Sequence, residues 1–520
     1  MRHSVLPFAT MLALLAACTR PPASPSQPSL SLEQIGTYEG GGTGAAEITA
    51  YDATSRRLFV VNGARGTVDV LDLESPSSPR RIATISVAQF GAGVNSVATH
   101  NGVVALAIEA TDRQAPGTVA FYRATTLQLI SSVPVGALPD MLTFSSSGRY
   151  VLVANEGEPS GDYRNDPEGS ISVIDVSNVD APTAVTVGFA AFNDQAASLR
   201  AAGVRIFGPN ASVAQDLEPE FITIAEDERT AWVTLQENNA LAIIDIPRAT
   251  VRQIVPLGYK NHALAGNGLD VSDRDGPGGT PLVNIRPWPV LGMYQPDAIA
   301  SYRVQGETWL VTGNEGDVRA YAAFTESARA GSLPLDTSVF TPAACGGDCP
   351  ADARLGRLSV TTTLGRDGAA FDTLYAFGAR SFSIRDAAGR LVWDSGDQLE
   401  RLISALPMAN FNAGSVGNVL DDRSDDWGPE PEGVAIGVVR GRTYAFIGLD
   451  QFGGVVVYDV TVPASPVFVT YVNTRDGAAG DRGPEGVTFV PAERSPSGEP
   501  LVILGNEISG TTVIFRVTSR

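Results

Sequence analysis

Five times in this 520-residue chain an acid, usually preceded by proline, opens an apolar strand, and a second acid, often preceded by asparagine, closes the next strand. The pairs are Asp140 with Glu156, Glu220 with Glu237, Asp297 with Glu315, Glu432 with Asp450, and Glu485 with Glu507. Each pair is separated by about the length of a tight hairpin of two ordinary strands, so its acids meet at one end of an antiparallel pair. Repeated around an axis, the pairs line one mouth of a β-propeller, an oxygen-rich setting suited to a cation.

Short runs of Val, Ile, Leu, Phe, Tyr and Thr closed by Gly, Asn, Asp and Pro dominate the chain, which predicts an all-β fold. Aligning the runs gives eight repeats, beginning near Glu47, Asn95, Pro139, Pro219, Pro296, Leu358, Pro431 and Pro484. The last repeat holds three strands, and residues 34–39 form a strand without a unit, so the N-terminal strand is expected to complete the last blade and close the ring. Seven blades is the alternative, because the unit with strands at 374–377, 382–385 and 391–393 lacks the acidic pair. Long insertions interrupt the rhythm at 192–217, 259–294, 327–354 and 404–428, where propellers place specificity.

Fifty-seven acids against 37 bases leave a net charge of −20, and no basic stripe appears, which argues against nucleic acid as a partner. Only His100 and His262 lie outside the leader, so histidine-rich zinc or iron sites and a serine hydrolase triad have little material. A metal here is held by oxygen. Ca²⁺ is expected, with Mg²⁺ or Mn²⁺ as alternatives.

The N-terminus carries Arg2 and an apolar run from Val5 to Ala17, too short to span a bilayer. Residues 15–18 resemble a bacterial lipobox. The expected organisation is a lipoprotein signal peptide at 1–17, a flexible Pro- and Ser-rich tether at 18–31 after a lipidated Cys18, and one propeller domain with long loop insertions at 32–520. This implies a secreted lipoprotein of the cell envelope, at the outer membrane or cell surface, whose only membrane contact is its lipid. Cys345 and Cys349 are expected to form a small disulfide loop in that oxidising setting.

Other acids stand in loops. Glu156, Glu158, Asp162, Asp166 and Glu168 form the densest acidic stretch, and Asp270, Asp273 and Asp275 before Gly276 are spaced as in a calcium loop, without the distal glutamate of an EF-hand. Arg319, Arg380 and Arg423 flank acidic segments, where a guanidinium could clamp a phosphate or pair with a neighbouring acid.

The chain resembles the bacterial choice-of-anchor I family, whose members carry alkaline-phosphatase-like or mesenchyme-specific cell surface glycoprotein-like labels. The resemblance runs through residues 154–159 with 166–170, 313–321, 378–384, 423–433, 444–449, and 483–486 with 506–511. Trp427 departs from the polar residue expected in that run. The resemblance implies a propeller and phosphoester hydrolysis. In that reading Ca²⁺ at the mouth activates water, Glu432 and Glu485 are catalytic, and Arg319 or Arg380 neutralises charge. The alternative is a non-enzymatic module, stabilised by calcium, whose insertions bind an envelope ligand. The sequence sets no oligomeric state.

Overall fold

A computed structural model describes residues 30–406 and 411–519 of the chain. The expected signal peptide, Cys18 and nearly all of the expected tether lie outside these residues, and Leu30 and Ser31 already belong to a strand, Leu30–Glu39. The described residues form an all-β fold with seven antiparallel four-stranded sheets among them. Numbered in chain order, sheets 1 to 7 begin with the strands Thr49–Asp52, Gly93–His100, Pro139–Phe144, Pro219–Ile224, Ile299–Val304, Pro431–Val439 and Pro484–Val490. Each first strand contacts the first strand of the next sheet, and that of sheet 7 contacts that of sheet 1.

The core follows the same circuit. Phe59 and Val70 of sheet 1 pack on Val104 and Leu106 of sheet 2. Comparable clusters join each following pair, and the last sets Leu501, Ile503 and Ile514 of sheet 7 against Leu58, Val60 and Leu71 of sheet 1. This explains the apolar runs in the middle strands. Tyr150–Asn155 is buried from its second residue to its last because a neighbouring sheet covers each face, whereas the outer strand Thr183–Gly188 is mostly exposed.

Sheet 7 takes its fourth strand from the other end of the chain. Leu30–Glu39 pairs antiparallel with Thr511–Ser519, from Leu30 opposite Ser519 to Glu39 opposite Thr511, with one register shift between Gln34 and Gly36. Leu30 and Leu32 enter the cluster shared by sheets 6 and 7, and the Tyr38 hydroxyl donates to Asp69 of sheet 1 at 2.9 Å. Sheet 7 also meets sheet 1 through Gly505, where a Cβ would lie 1.7 Å from the carbonyl oxygen of Glu47.

The eighth repeat expected at Leu358 is not a sheet of its own. Ser381–Asp386 and Leu391–Asp394 are the outer two strands of sheet 5, beside Ile299–Val304 and Glu307–Asn314. A long excursion separates the second strand of this sheet from its third, so one sheet reads in sequence as two units. Part of that excursion joins residues of the 259–294 insertion in a five-stranded sheet, Tyr259–Asn261, Leu291–Met293, Tyr375–Ala376, Ser359–Thr361 and Ser327–Arg329. The insertion has its own core around Trp288, Phe340, Leu355 and Phe371. Cys345 and Cys349 are disulfide-bonded within it, with Cα atoms 5.3 Å apart. Among the described residues no helix is long and apolar enough to cross a membrane.

Candidate functional site: a carboxylate-lined cavity

Two local devices bring the acids together. Four of the first strands lose regular register just after a proline, between Pro139 and Leu142, Pro219 and Ile222, Pro431 and Val434, and Pro484 and Gly486. A bulge re-aims side chains, and the residues in these stretches are Asp140, Glu220, Glu432 and Glu485. At the end of the second strand a buried asparagine fixes the turn. Asn155 donates to Ser170 and Ser172, Asn314 to Ser381 and Ser383, and Asn506 to Thr511. The next residue in each case is the closing acid: Glu156, Glu315 or Glu507.

Asn95, Asp140, Glu220, Asp297, Glu315, Glu432 and Glu485 line one cavity of about 270 Å³. A second cavity of about 330 Å³ shares Asp140, Glu432 and Glu485 and adds Glu47, Glu507 and one base, Arg113. Three groups each bring carboxylate oxygens within 4.8 Å of one another: Asp140, Glu156 and Glu220; Glu156, Glu218 and Glu237; and Asp297, Glu315 and Glu432. Two of the five expected pairs, Asp140 with Glu156 and Asp297 with Glu315, share a group, and Glu220 and Glu432 join them from the adjacent sheets. Glu156 belongs to two groups. Asp450, Glu485 and Glu507 stand outside these groups, although Asp450 and Glu485 both act on the carboxyl of Glu432.

The electrostatics are severe. Two carboxylates 4 Å apart repel by about 4 kcal/mol even at an effective dielectric constant of 20. Burial and then the neighbouring acids push Glu47 up to about 8 and Asp297 to about 7, and Asp140 to about 6. The same causes hold Glu156, Glu220, Glu315, Glu432 and Glu485 well above the ordinary carboxylate range. Glu237 is 3% exposed, and its Oε2 is enclosed without a hydrogen-bond partner. Such a buried acceptor is costly unless something donates to it or coordinates it.

The arginines chosen from sequence have protein partners. Arg319 is buried over the ring of Phe207, donates to Asp216, and lies 2.9 Å from Glu218. Arg380 donates to Glu400 and to the carbonyls of Asp270, Ser424 and Asp426. Arg423 is held by Glu430 at 2.7 Å and lies over Trp427, the residue that departs from the family run. The acidic loop after Glu156 is also divided, since Glu158 accepts from Tyr321 and pairs with Arg113 while Asp162 pairs with Arg164.

Sequence reasoning missed Glu47, Glu218 and Asp317, the last of which also lines the first cavity. A signal existed for Glu218: an acid precedes the proline as well as following it at 218–220, and the same doubling recurs at 430–432. The preceding acids face arginines, Glu218 facing Arg319 and Glu430 facing Arg423.

Fold and site together define an all-β protein of successive four-stranded sheets, each packed on the next, with an acidic cavity lined by their first strands. The chain belongs to the choice-of-anchor I domain family, whose profile matches residues 47–463. It is 30% identical over 187 residues to Gigasin-3a of Magallana gigas, covering 32% of this chain and 66% of that protein. It is 28% identical over 291 residues to the mesenchyme-specific cell surface glycoprotein of Strongylocentrotus purpuratus, covering 49% of this chain and 36% of that one. The chain thus spans less than two thirds of the length of either relative. Among solved structures it is similar to a Kuenenia stuttgartiensis hydrazine synthase chain, with TM-score 0.48, 12% identity, and coverage of 92% and 97% of the two chains. It is also similar to the β-propeller domain of Myceliophteria thermophila Cps50 (Swd1), with TM-score 0.44, 8% identity, and coverage of 95% and 100%.

Proposed function

We propose that this protein is a surface-associated binding module, a seven-bladed β-propeller closed by its N-terminal strand, whose channel mouth holds divalent cations, calcium foremost. Membership of the choice-of-anchor I family supports the surface setting, and the lipobox at residues 15–18 supports a lipid anchor at Cys18. The observation that carries the cation reading is the pair of carboxylate groups sharing Glu156, one of which contains the enclosed, unpartnered Oε2 of Glu237. Carboxylates are hard donors, and the groups contain neither histidine nor cysteine, which suits Ca²⁺ over the softer transition metals.

A bound cation would replace the protons that the apo site must otherwise hold. It would also draw the first strands of sheets 3, 4, 5 and 6 together around the channel, making the insertions above it a firmer platform for a ligand. A phosphoesterase reading has less support, because every guanidinium nitrogen of Arg319 and both terminal nitrogens of Arg380 already donate to protein oxygens. Charge neutralisation at a phosphoryl group would require those ion pairs to break.

Isothermal titration calorimetry of the soluble body with CaCl₂ tests this reading. The expected result is saturable binding with a Kd of about 10⁻⁴ M or tighter, the tight end of the range of extracellular calcium modules, with at least a tenfold loss in Glu156→Gln. A folded protein that takes up no calcium at the mouth would sink it.

A further inference from the structure

A second group of acids lies in the insertion and shares no residue with the channel mouth. Asp270 and Asp275 belong to one loop, while Asp421 comes from the segment between sheets 5 and 6, yet their carboxylate oxygens lie within 4.8 Å of one another. Asp270 and Asp421 are fully buried. Asp270 accepts from the backbone N–H of Asn284 at 2.5 Å, and Asp421 accepts from the backbone N–H of Leu282 at 3.2 Å and from the Ser424 hydroxyl.

Asp275 is different. Both of its carboxylate oxygens are shut away from solvent and receive no hydrogen bond, although the side chain reaches into the group. The nearby bases are engaged elsewhere: Arg380 with the Asp270 carbonyl and Glu400, Arg286 with the Cys345 carbonyl, and Arg357 with Asp273 and Asp425. Asp273, which lies between Asp270 and Asp275 in sequence, is thereby withdrawn from the group. Three carboxylates converge from two segments, one of them with no hydrogen-bond donor, and the bases whose charge reaches them, Arg354 and Arg286, donate their own hydrogen bonds to main-chain carbonyls. A divalent cation satisfies all three at once.

We propose that Asp270, Asp275 and Asp421 form a structural calcium site that fastens the 259–294 insertion to the 411–428 segment. The donors are oxygens presented by loops, which can adopt the irregular, high-coordination shell of Ca²⁺ more readily than the strict octahedron of Mg²⁺. The ion ties the small core around Trp288 to the segment carrying Trp427, so the two insertions move as one body above the sheets.

Trp288 provides a reporter, because its Nε1 donates to the carbonyl of Leu269 at 3.0 Å, one residue from Asp270. Tb³⁺ takes calcium sites, and its luminescence is excited through a nearby indole. In the whole soluble body, tryptophan-excited Tb³⁺ emission is expected to fall at least fivefold in Asp275→Asn and in Asp421→Asn, and to remain in Glu156→Gln and in Asp273→Asn. Calcium is expected to protect the 411–428 segment from proteolysis in the wild type and in Glu156→Gln, but not in Asp275→Asn. Should Asp421→Asn fail to fold, Asp275→Asn decides, since removing that unpartnered carboxylate breaks no hydrogen bond in the metal-free protein. Emission and protection unchanged in folded Asp275→Asn would overturn the site, as would emission lost only in Glu156→Gln. Either result would leave the channel reading standing, because the two sites have no ligand in common.

Discussion

With EGTA present, the folded protein is expected to lose stability as pH rises from about 5 to 8, and saturating Ca²⁺ is expected to abolish or reverse that slope. The sign follows from the channel acids. Burial and mutual repulsion raise Asp140 and Asp450 to about 6, Asp297 to about 7 and Glu47 to about 8 in the folded state, from ordinary values of 3.8 for the aspartates and 4.5 for the glutamate. Between the unfolded and folded values the native state holds protons that the unfolded chain has released, so stability falls with pH across that window and levels off above it. Calcium competes with those protons and binds only where the acids converge. Each site kept at a thousand times its Kd adds about 4 kcal/mol, a large fraction of the 5–15 kcal/mol typical of a folded domain. Thermal unfolding at pH 5, 6, 7 and 8, with calcium and with EGTA, measures both slopes. A pH-independent midpoint that calcium does not move would mean that the acids are ordinary solvated groups.

Removing residues 30–39 is expected to be the most damaging short deletion in the protein. It strips the outer strand from sheet 7 and exposes the backbone edge of Thr511–Ser519 along its length. It also takes Leu30 and Leu32 out of the core between sheets 6 and 7, where they are 2% and 9% exposed, and cuts the Tyr38 tie to Asp69. Two buried leucines alone contribute about 3–6 kcal/mol, before the lost ladder of hydrogen bonds is counted. The uncovered edge is also a template for association with other chains. The truncated chain is expected to unfold at least 10 °C lower or to elute as aggregates, and a peptide of residues 30–39 added in trans is expected to restore part of the loss. A truncated monomer with an unchanged unfolding temperature would show that the ring does not depend on this strand.

Much of the architecture could be read from residues alone, for identifiable reasons. Three of the strand ends were legible because the same chemistry terminates them: a buried asparagine, Asn155, Asn314 or Asn506, bonds the next strand, and an acid follows it. The N-terminal strand was legible because the last repeat is one strand short. The repeat at Leu358 was misread because strand patterning records that a segment pairs but not with what; Tyr375–Ala376 pairs in the insertion sheet and Ser381–Asp386 in sheet 5. Asp421 could not be linked to Asp270 from sequence, since the two meet only when the insertion folds back onto the later segment. Arg319 and Arg380 were placed beside acids as expected, but sequence does not show that a guanidinium will be enclosed: they are 2% and 3% exposed.

The most direct measurement is an anomalous difference map from crystals grown with Tb³⁺ or Ca²⁺ at neutral pH. Cation binding at the mouth predicts peaks between Asp297, Glu315 and Glu432 and around Glu156, each within coordination distance of carboxylate oxygens, with Glu237 turned onto the ion. A mouth without metal at saturating concentration, its acids paired with one another through shared protons, would contradict the account.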